Sequence, residues 1–457
     1  MSETLYPFFC TICIVVLKEL NTIVYEPYMD EPFHIPQAQA YCRGEYDVWD
    51  PKITTPPGLY MISVLLKRMF LVKCNLAMLR LTPTLTLMVL PLALTRLISY
   101  HKRELPPSSI LAPLGEALVL AAFPVSFFFG FLYYTEVPSL LFVVLTVVAA
   151  SQNNHWLAAL LGAVSCTFRQ TNIVWVLYAY ASSQLMYLRF RRALPGQPEP
   201  TKLHDPPALT ASPNDMVQTA ITSIKVLPSI LPAFIPYVLV LAGFGSFVFW
   251  NGGIVLGDKS NHIPSFHIPQ LYYFIAATTF FGWPVLVSGP QGITGLLRDI
   301  KHRMIGNKLR TSVTILISGL MGLSVYLFTI HHPFLLSDNR HYTFYVWRRI
   351  YMFHPSVPYL LVPVYLACAW AWFLRIGKDQ TLLQSLLVPV FVVPTLLPTP
   401  LLEPRYFLIP YVLLRAQVTD VPTWGVALEG SWYAIINAIT LGVFLYLPRE
   451  GVGRFMW

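Results

Sequence analysis

Two adjacent carboxylates, Asp30 and Glu31, lie in YMDEPFHIPQAQAY (residues 28–41), just beyond the first long apolar stretch. Acids, a histidine (His34) and two glutamines (Gln37, Gln39) at one edge of a greasy segment are costly to keep there unless something uses them. A carboxylate so placed can take the proton of an attacking hydroxyl. Asp30 suits that task better than Glu31, because its shorter side chain, set between an apolar helix and Pro32, is held more firmly. The competing reading is that both acids only cap an interfacial helix running from about Pro32, where negative charge is favoured. The two roles are compatible.

A second group of polar residues offers the complementary charge. HHPFLLSDNRHYTFYVWRR (331–349) carries Arg340, Arg348 and Arg349 among aromatics, and the compact PTPLLEPRY carries Arg405. Arginines held on one face need an anionic partner, and phosphate matches a guanidinium fork well. The blander account of 331–349 alone is an interfacial belt of aromatics and snorkelling arginines. Acids beside arginines fit transfer of a group from a lipid phosphate to a hydroxyl, with one base and cations to hold the departing phosphate. Glycoside hydrolysis would call for two cooperating carboxyls instead.

These residues need a scaffold, and composition says which kind. The chain has 457 residues, 55% hydrophobic and 12% charged, and its mean hydropathy is +0.56. Apolar segments at about 5–25, 77–99, 110–132, 138–151, 155–168, 171–188, 226–250, 270–289, 312–330, 352–374, 382–397, 406–418 and 432–447 predict roughly 12 or 13 membrane spans. This leaves one membrane-embedded domain over 1–457, an all-α polytopic bundle. A net charge of +9 would suggest nucleic acid in a soluble protein. Here much of the Lys and Arg excess falls in short loops, where it sets orientation, and no nucleic-acid motif is present. Residues 5–17 continue into KELNTIVY without a small-residue cleavage site, so the segment is expected to be a retained first helix.

The stretch 54–72 opens on Pro56 and Pro57 and is interrupted by Lys67 and Arg68, so it predicts a helix lying along the interface within a first loop spanning 26–76. With that choice HKRE (101–104), RFRR (189–192), RDIKHR (298–303), Arg375 and Lys378 share the cytoplasmic side. The opposite face then collects residues 26–58, YYTE (133–136), NGGIVLGDKSNH (251–262), 331–349 and LLEPRY. Residues 190–225, with several prolines, predict a flexible cytoplasmic loop. The six cysteines are too scattered for a disulfide framework. Cys10 and Cys13, spaced as CxxC, suit a helix core, whereas Cys42 and Cys74 could pair if both face an oxidising lumen. Walker, dinucleotide and zinc-site spacings are absent.

MDEPFHIPQAQAY, WDPKITTPPGLY, FFFGFLYYTE, FRQTNIVW, HPFLLSDNRHYTFYVWRR and LLEPRYFLIPY together resemble the eukaryotic dolichyl-phosphoglucose-dependent α-1,2-glucosyltransferases. These enzymes add the last glucose to the lipid-linked oligosaccharide of N-glycosylation. The resemblance implies a GT-C-type bundle with luminal interfacial helices, in the endoplasmic reticulum membrane, with its site facing the lumen. It implies dolichyl phosphate glucose as donor, the diglucosylated high-mannose dolichyl-diphosphate oligosaccharide as acceptor, and a β-linked donor yielding an α-linked product. It marks Asp30 as base with Glu31 beside it, and Arg405, Arg340, Arg348, Arg349 and His332 as the donor-phosphate region. His34, Gln37, Tyr134, Glu136, Asp338, Asn339, Tyr342, Glu403 and Tyr406 are the expected substrate-binding positions. The chain departs from the family at Glu136, where Asp is usual, and at Pro32, where a bulky apolar residue is usual.

No cofactor is required; Asp258, Asp338 and Glu403 share the face where a divalent ion would sit. Arg169 and Gln170 are expected to clamp the bundle. The alternatives are a dolichyl-phosphate-mannose-dependent mannosyltransferase, a polytopic transporter or flippase, and a channel-associated scaffold. A transporter would show paired half-repeats and polar residues at the midplane, whereas here they crowd one surface.

Overall fold

A computed structural model describes residues 2–192, 200–260 and 263–457. Among the described residues the chain is helical, with no strand beyond isolated bridge pairs. Helix α1 (Ser2–Ile23) packs beside α4 (Leu76–Lys102), and the loop between them carries two short helices, α2 (Glu31–Arg43) and α3 (Gly58–Phe70). Next come α5 (Gly115–Ala121) and α6 (Pro124–Phe129), then α7 (Glu136–Ser151), α8 (His155–Cys166) and α9 (Asn172–Phe190), which pack together, with α7 also against α4. The second half runs through α10 (Pro213–Asn251), α11 (Pro269–Val287), α12 (Gly292–Ile305), α13 (Lys308–Phe328), α14 (Pro333–Ser337) and α15 (Tyr342–Val346). A π-turn (Trp347–Tyr351) leads to α16 (Val357–Leu360), α17 (Val362–Gly377) and α18 (Leu382–Leu396). A 3-10 turn (Pro404–Phe407), α19 (Leu408–Ala416) and α20 (Thr423–Tyr446) complete it.

Seven described helices are long and apolar enough to cross a membrane: Thr4–Ile23, Leu76–Lys102, Pro213–Asn251, Pro269–Val287, Lys308–Phe328, Val357–Gly377 and Thr423–Tyr446. The protein is therefore an all-α polytopic membrane protein. Three further expected spans are shorter apolar helices, Glu136–Ser151, His155–Cys166 and Leu382–Leu396. The run at 110–132 is not one helix. Phe123 and Pro124 break it into α5 and α6, of 7 and 6 residues, since a proline cannot continue the hydrogen-bond ladder of the preceding turn. Both pieces are buried by neighbours, so the apolar character of this run reflects core and not lipid. Of the expected flexible loop at 190–225, residues 213–225 are helical. Ser212 makes a capping box with Asp215 and starts α10 at Pro213, while residues 193–199 lie outside the described residues.

The first loop follows its sequence closely. At 13 residues, α3 is about 20 Å long, too short to cross a hydrocarbon core of roughly 30 Å. It buries Leu59, Tyr60, Ser63 and Val64 and exposes Met61, Leu65, Met69 and Phe70, the pattern of a helix lying in an interface. Gly58 is pressed against the Thr167 backbone, where an added Cβ would come within 2.7 Å of a carbonyl oxygen. Only glycine permits that approach. Cys42 and Cys74 form a disulfide, joining the end of α2 to the residue before the Asn75 cap of α4. Cys13 is buried and Cys10 partly so, and both are free, in keeping with core packing of the CxxC spacing.

Candidate functional site

Helix α2 starts where the sequence requires. Pro32 pre-sets the first-turn backbone angle, and Gly44, at φ 90, ends the helix with a left-handed cap. Met29 also takes a left-handed backbone (φ 61), an uncommon conformation for a residue with a side chain. Asp30 then occupies the N-cap position, yet its side chain makes no capping hydrogen bond. Its carboxylate accepts instead from Arg405 Nη1 at 3.0 Å, and its backbone N–H donates to the Tyr134 hydroxyl at 3.0 Å. The Asp30 side chain is 41% exposed.

Arg405 gathers the other acids. Its guanidinium bonds Glu403 and lies 3.6 Å from Glu136. Glu136 is paired with Arg169, whose guanidinium lies 5.7 Å above the Tyr406 ring. Three carboxylates thus share two arginines. Two atoms of this group, Glu136 Oε2 and Arg169 Nε, are buried without a hydrogen-bond partner. Burial raises the pKa of Asp30 and of Glu403, but the charge and hydrogen bonds of Arg405 outweigh it and hold both below the usual carboxylate range. His34 meets the Tyr60 hydroxyl at 2.5 Å through Nδ1. Burial outweighs the pull of Asp30 and Glu136 and sets His34 below the ordinary histidine value.

The segment 338–341 forms the next wall. Asp338 and Arg340 pair at 2.7 Å, Arg340 lies over the Tyr28 ring, and His341 is near enough to favour the ionised forms of Asp30 and Glu403. Residues near 454–457 run alongside. Met456 N–H donates to the Arg340 carbonyl, the Arg454 carbonyl accepts from the Tyr28 hydroxyl, and the Tyr342 ring packs on Phe455 and Trp457. The loop at 251–258 also lands here: Leu256 N–H donates to Thr54 and Asp258 N–H to Pro51. The loops placed on one face by charge pattern therefore do meet.

The site residues named from sequence divide accordingly. Asp30, His34, Tyr134, Glu136, Glu403, Arg405 and Tyr406 come together, with Asp338, Arg340 and Tyr342 adjoining. Glu31 does not join them. It is fully buried, chelated by Arg80 at 2.8 and 2.5 Å, and accepts the Tyr133 and Tyr28 N–H groups. Gln37 uses both ends of its amide on the following loop, with Val48 and Asp50. Arg348 and Arg349 are exposed and lie over the Phe344 and Tyr345 rings, because the π-turn directs Trp347 and Tyr351 inward. Asn339 is exposed, and His332 accepts locally from the Phe334 N–H. Gln170 donates to the Thr54 carbonyl at 2.7 Å, the expected clamp, but Arg169 belongs to the acid cluster. Sequence reasoning missed Arg80. A lone arginine inside the apolar run LAMLRLTP needs a buried acid, and that was the available signal. Among the described residues no group of three or more His, Cys, Asp or Glu side chains is placed to hold a metal ion.

A mouse protein named Dol-P-Glc:Glc(2)Man(9)GlcNAc(2)-PP-Dol alpha-1,2-glucosyltransferase is 36% identical over 98% of this chain and 97% of its own. Relatives of the same name are 33% identical in Arabidopsis thaliana, over 96% of both chains, and 34% identical in Drosophila melanogaster, over 94% of this chain and 91% of the relative. No solved structure matches. The family model of DIE2/ALG10 matches residues 24–416, a span holding both Asp30 and the Arg405 that faces it, and the chain belongs to that family.

Proposed function

We propose that this protein transfers glucose from dolichyl phosphate glucose to the terminal glucose of Glc2Man9GlcNAc2-diphosphodolichol, forming an α-1,2 bond. The names of its relatives supply the substrates. The structural observation that carries the reading is a partly exposed carboxylate, Asp30, free of any capping bond and facing the Arg405 guanidinium at 3.0 Å. The acceptor 2-hydroxyl oxygen attacks the anomeric carbon of the donor while the bond from that carbon to the phosphate oxygen breaks. Asp30 takes the hydroxyl proton, and dolichyl phosphate leaves with the electron pair. With the β-linked donor that the resemblance implies, one displacement inverts the carbon.

At rest Arg405 is bonded to Asp30, which makes that carboxylate a weak base. A donor phosphate that draws Arg405 to itself removes the pairing and leaves burial as the main influence on Asp30. The base therefore strengthens as the donor arrives. On the adjoining wall Arg340 adds positive charge and His341 a hydrogen-bonding ring for the same phosphate. Glu31 and Arg80 act by fixing the start of α2. The site faces the lumen of the endoplasmic reticulum, and the Cys42–Cys74 disulfide beside it suits an oxidising compartment.

The test uses the purified full chain in nanodiscs with synthetic dolichyl phosphoglucose and the diglucosylated acceptor. Mass spectrometry should find the acceptor one hexose heavier. Product formed only from dolichyl phosphomannose would overturn the choice of sugar, and no product from either donor would overturn the activity.

A further inference from the structure

A cavity lies beside the start of α11, whose Tyr273 packs on the lining residue Tyr351 and whose Gln270 reaches the segment before Arg405. It holds about 480 Å³, between the end of α13, the segment 351–355 and the start of α16, within the roughly 300–1,000 Å³ of small-molecule sites. Its polar lining consists of Tyr326, Thr329, His331, Tyr351, His354 and Tyr359, the remaining lining residues being apolar. No arginine, lysine, aspartate or glutamate lines it.

The inner wall is built. Thr329 Oγ1 and the Tyr351 hydroxyl are 3.3 Å apart, and the Trp347 ring stacks on Tyr351 with centroids 4.3 Å apart. Trp347 is 1% exposed, and its indole N–H has no hydrogen-bond partner. A buried donor left in that state is costly, and it lies behind the wall a ligand would touch. Tyr273 of α11 packs edge-on against Tyr351, and Gln270, one turn earlier, donates to the Thr399 and Leu401 carbonyls just before Glu403. Cavity and cleft are thus joined through α11 and the approach to Arg405.

We propose that this cavity is a carbohydrate subsite, which holds a hexose of the acceptor glycan remote from the reacting glucose. The inference rests on the function proposed above. A phosphate is held best by a guanidinium or ammonium group, and among the described residues neither lines the cavity. A polyprenyl chain would want an aliphatic wall, whereas six of the ten lining residues carry hydroxyl, phenol or imidazole groups. Phenol rings offer apolar faces with polar tips, and hydroxyls and imidazoles both donate and accept. That combination matches an uncharged polyol. The acceptor carries many hexoses besides the one that reacts, and its other branches must lie somewhere on this face.

Tyr326 and Tyr359 are exposed, so replacing them leaves the core intact. Tyr326→Ala, Tyr359→Ala and the double variant are compared in nanodiscs with two acceptors, the full branched glycolipid and a linear diglucosyl lipid without mannose branches. The double variant should raise KM for the branched acceptor about tenfold, with kcat, donor KM and the linear acceptor unchanged. An unmoved KM for the branched acceptor overturns the subsite. So does a rise in donor KM, which would give the cavity to the polyprenol, or equal losses on both acceptors. Should wild type transfer glucose to neither, the fault lies with the proposed function. Saturation-transfer NMR of the released glycan then still decides, since equal signals from wild type and double variant would refute the subsite.

Discussion

Two of the protein's clusters of opposed charge, one around Arg415 and one around Asp30, differ in closure. Around Arg415, Glu429 accepts two guanidinium bonds at 2.9 and 2.8 Å and a third from Tyr433 at 3.0 Å. Glu116 takes the remaining Arg415 nitrogen at 2.9 Å and Lys102 at 2.6 Å. Two acids meet two cations, and Arg415 and Glu429 have no exposed surface. This cluster ties α4 and α5 to α19 and α20. Around Asp30, three acids share two arginines, two polar atoms stay unpaired, and the Asp30 carboxylate is open. A brace satisfies every group it buries, whereas the cluster around Asp30 leaves groups open to a ligand, as the function proposed above requires.

Breaking each cluster should expose that contrast. Asp30→Asn removes the proposed proton acceptor without burying anything new, so kcat should fall by about 10²–10⁴-fold while thermal unfolding is hardly changed. Retained turnover would remove Asp30 from the chemistry. Arg415→Met leaves two buried carboxylates facing each other and should cost about 3–5 kcal/mol of stability, read by thermal unfolding in detergent. A variant as stable as wild type would deny the brace. Arg405→Gln should raise donor KM about tenfold, more than acceptor KM.

Arg405→Gln should also shift the pH profile. In wild type the Asp30 pKa is depressed, so its ionised form persists below the usual carboxylate range and is lost only as pH falls through that depressed value. Without Arg405 burial is opposed much less, and the acid limb of kcat/KM should move to higher pH. An unmoved limb would argue that Arg405 does not set the base. The smallest effect is expected from Arg348→Ala and Arg349→Ala, whose exposed side chains lie over the Phe344 and Tyr345 rings. Neither should change donor KM more than about twofold, and a larger rise would place the phosphate on their side.

Much of this was legible in the sequence, for identifiable reasons. Asp30 and Arg405 stand out because each is a polar residue beside long apolar runs, and their pairing required only that two loops share a face. The interfacial nature of α3 was legible from Lys67 and Arg68 interrupting a run too short to span. What escaped depended on direction. Glu31 follows Asp30 immediately, and only the turn at Met29 decides that one faces the cleft and the other Arg80. Arg348 and Arg349 break the charge rule as a phosphate site would, but the π-turn rotates them outward. The break at Pro124 was visible in the sequence, yet the hydropathy around it is as high in a protein core as in lipid. The Cys42–Cys74 pairing needed knowledge of how far apart α2 ends and α4 begins.

Asp30 and Arg405 are separated by 375 positions along the chain. At about 5–20 residues per second, a ribosome needs roughly 20–75 s to travel from one to the other, and the segment that buttresses Arg340 emerges later still. A nascent copy therefore holds Asp30 long before the Arg405 guanidinium arrives to face it. The ion pair that joins the two ends of the cleft thus closes only late in synthesis, and fragments released early lack it.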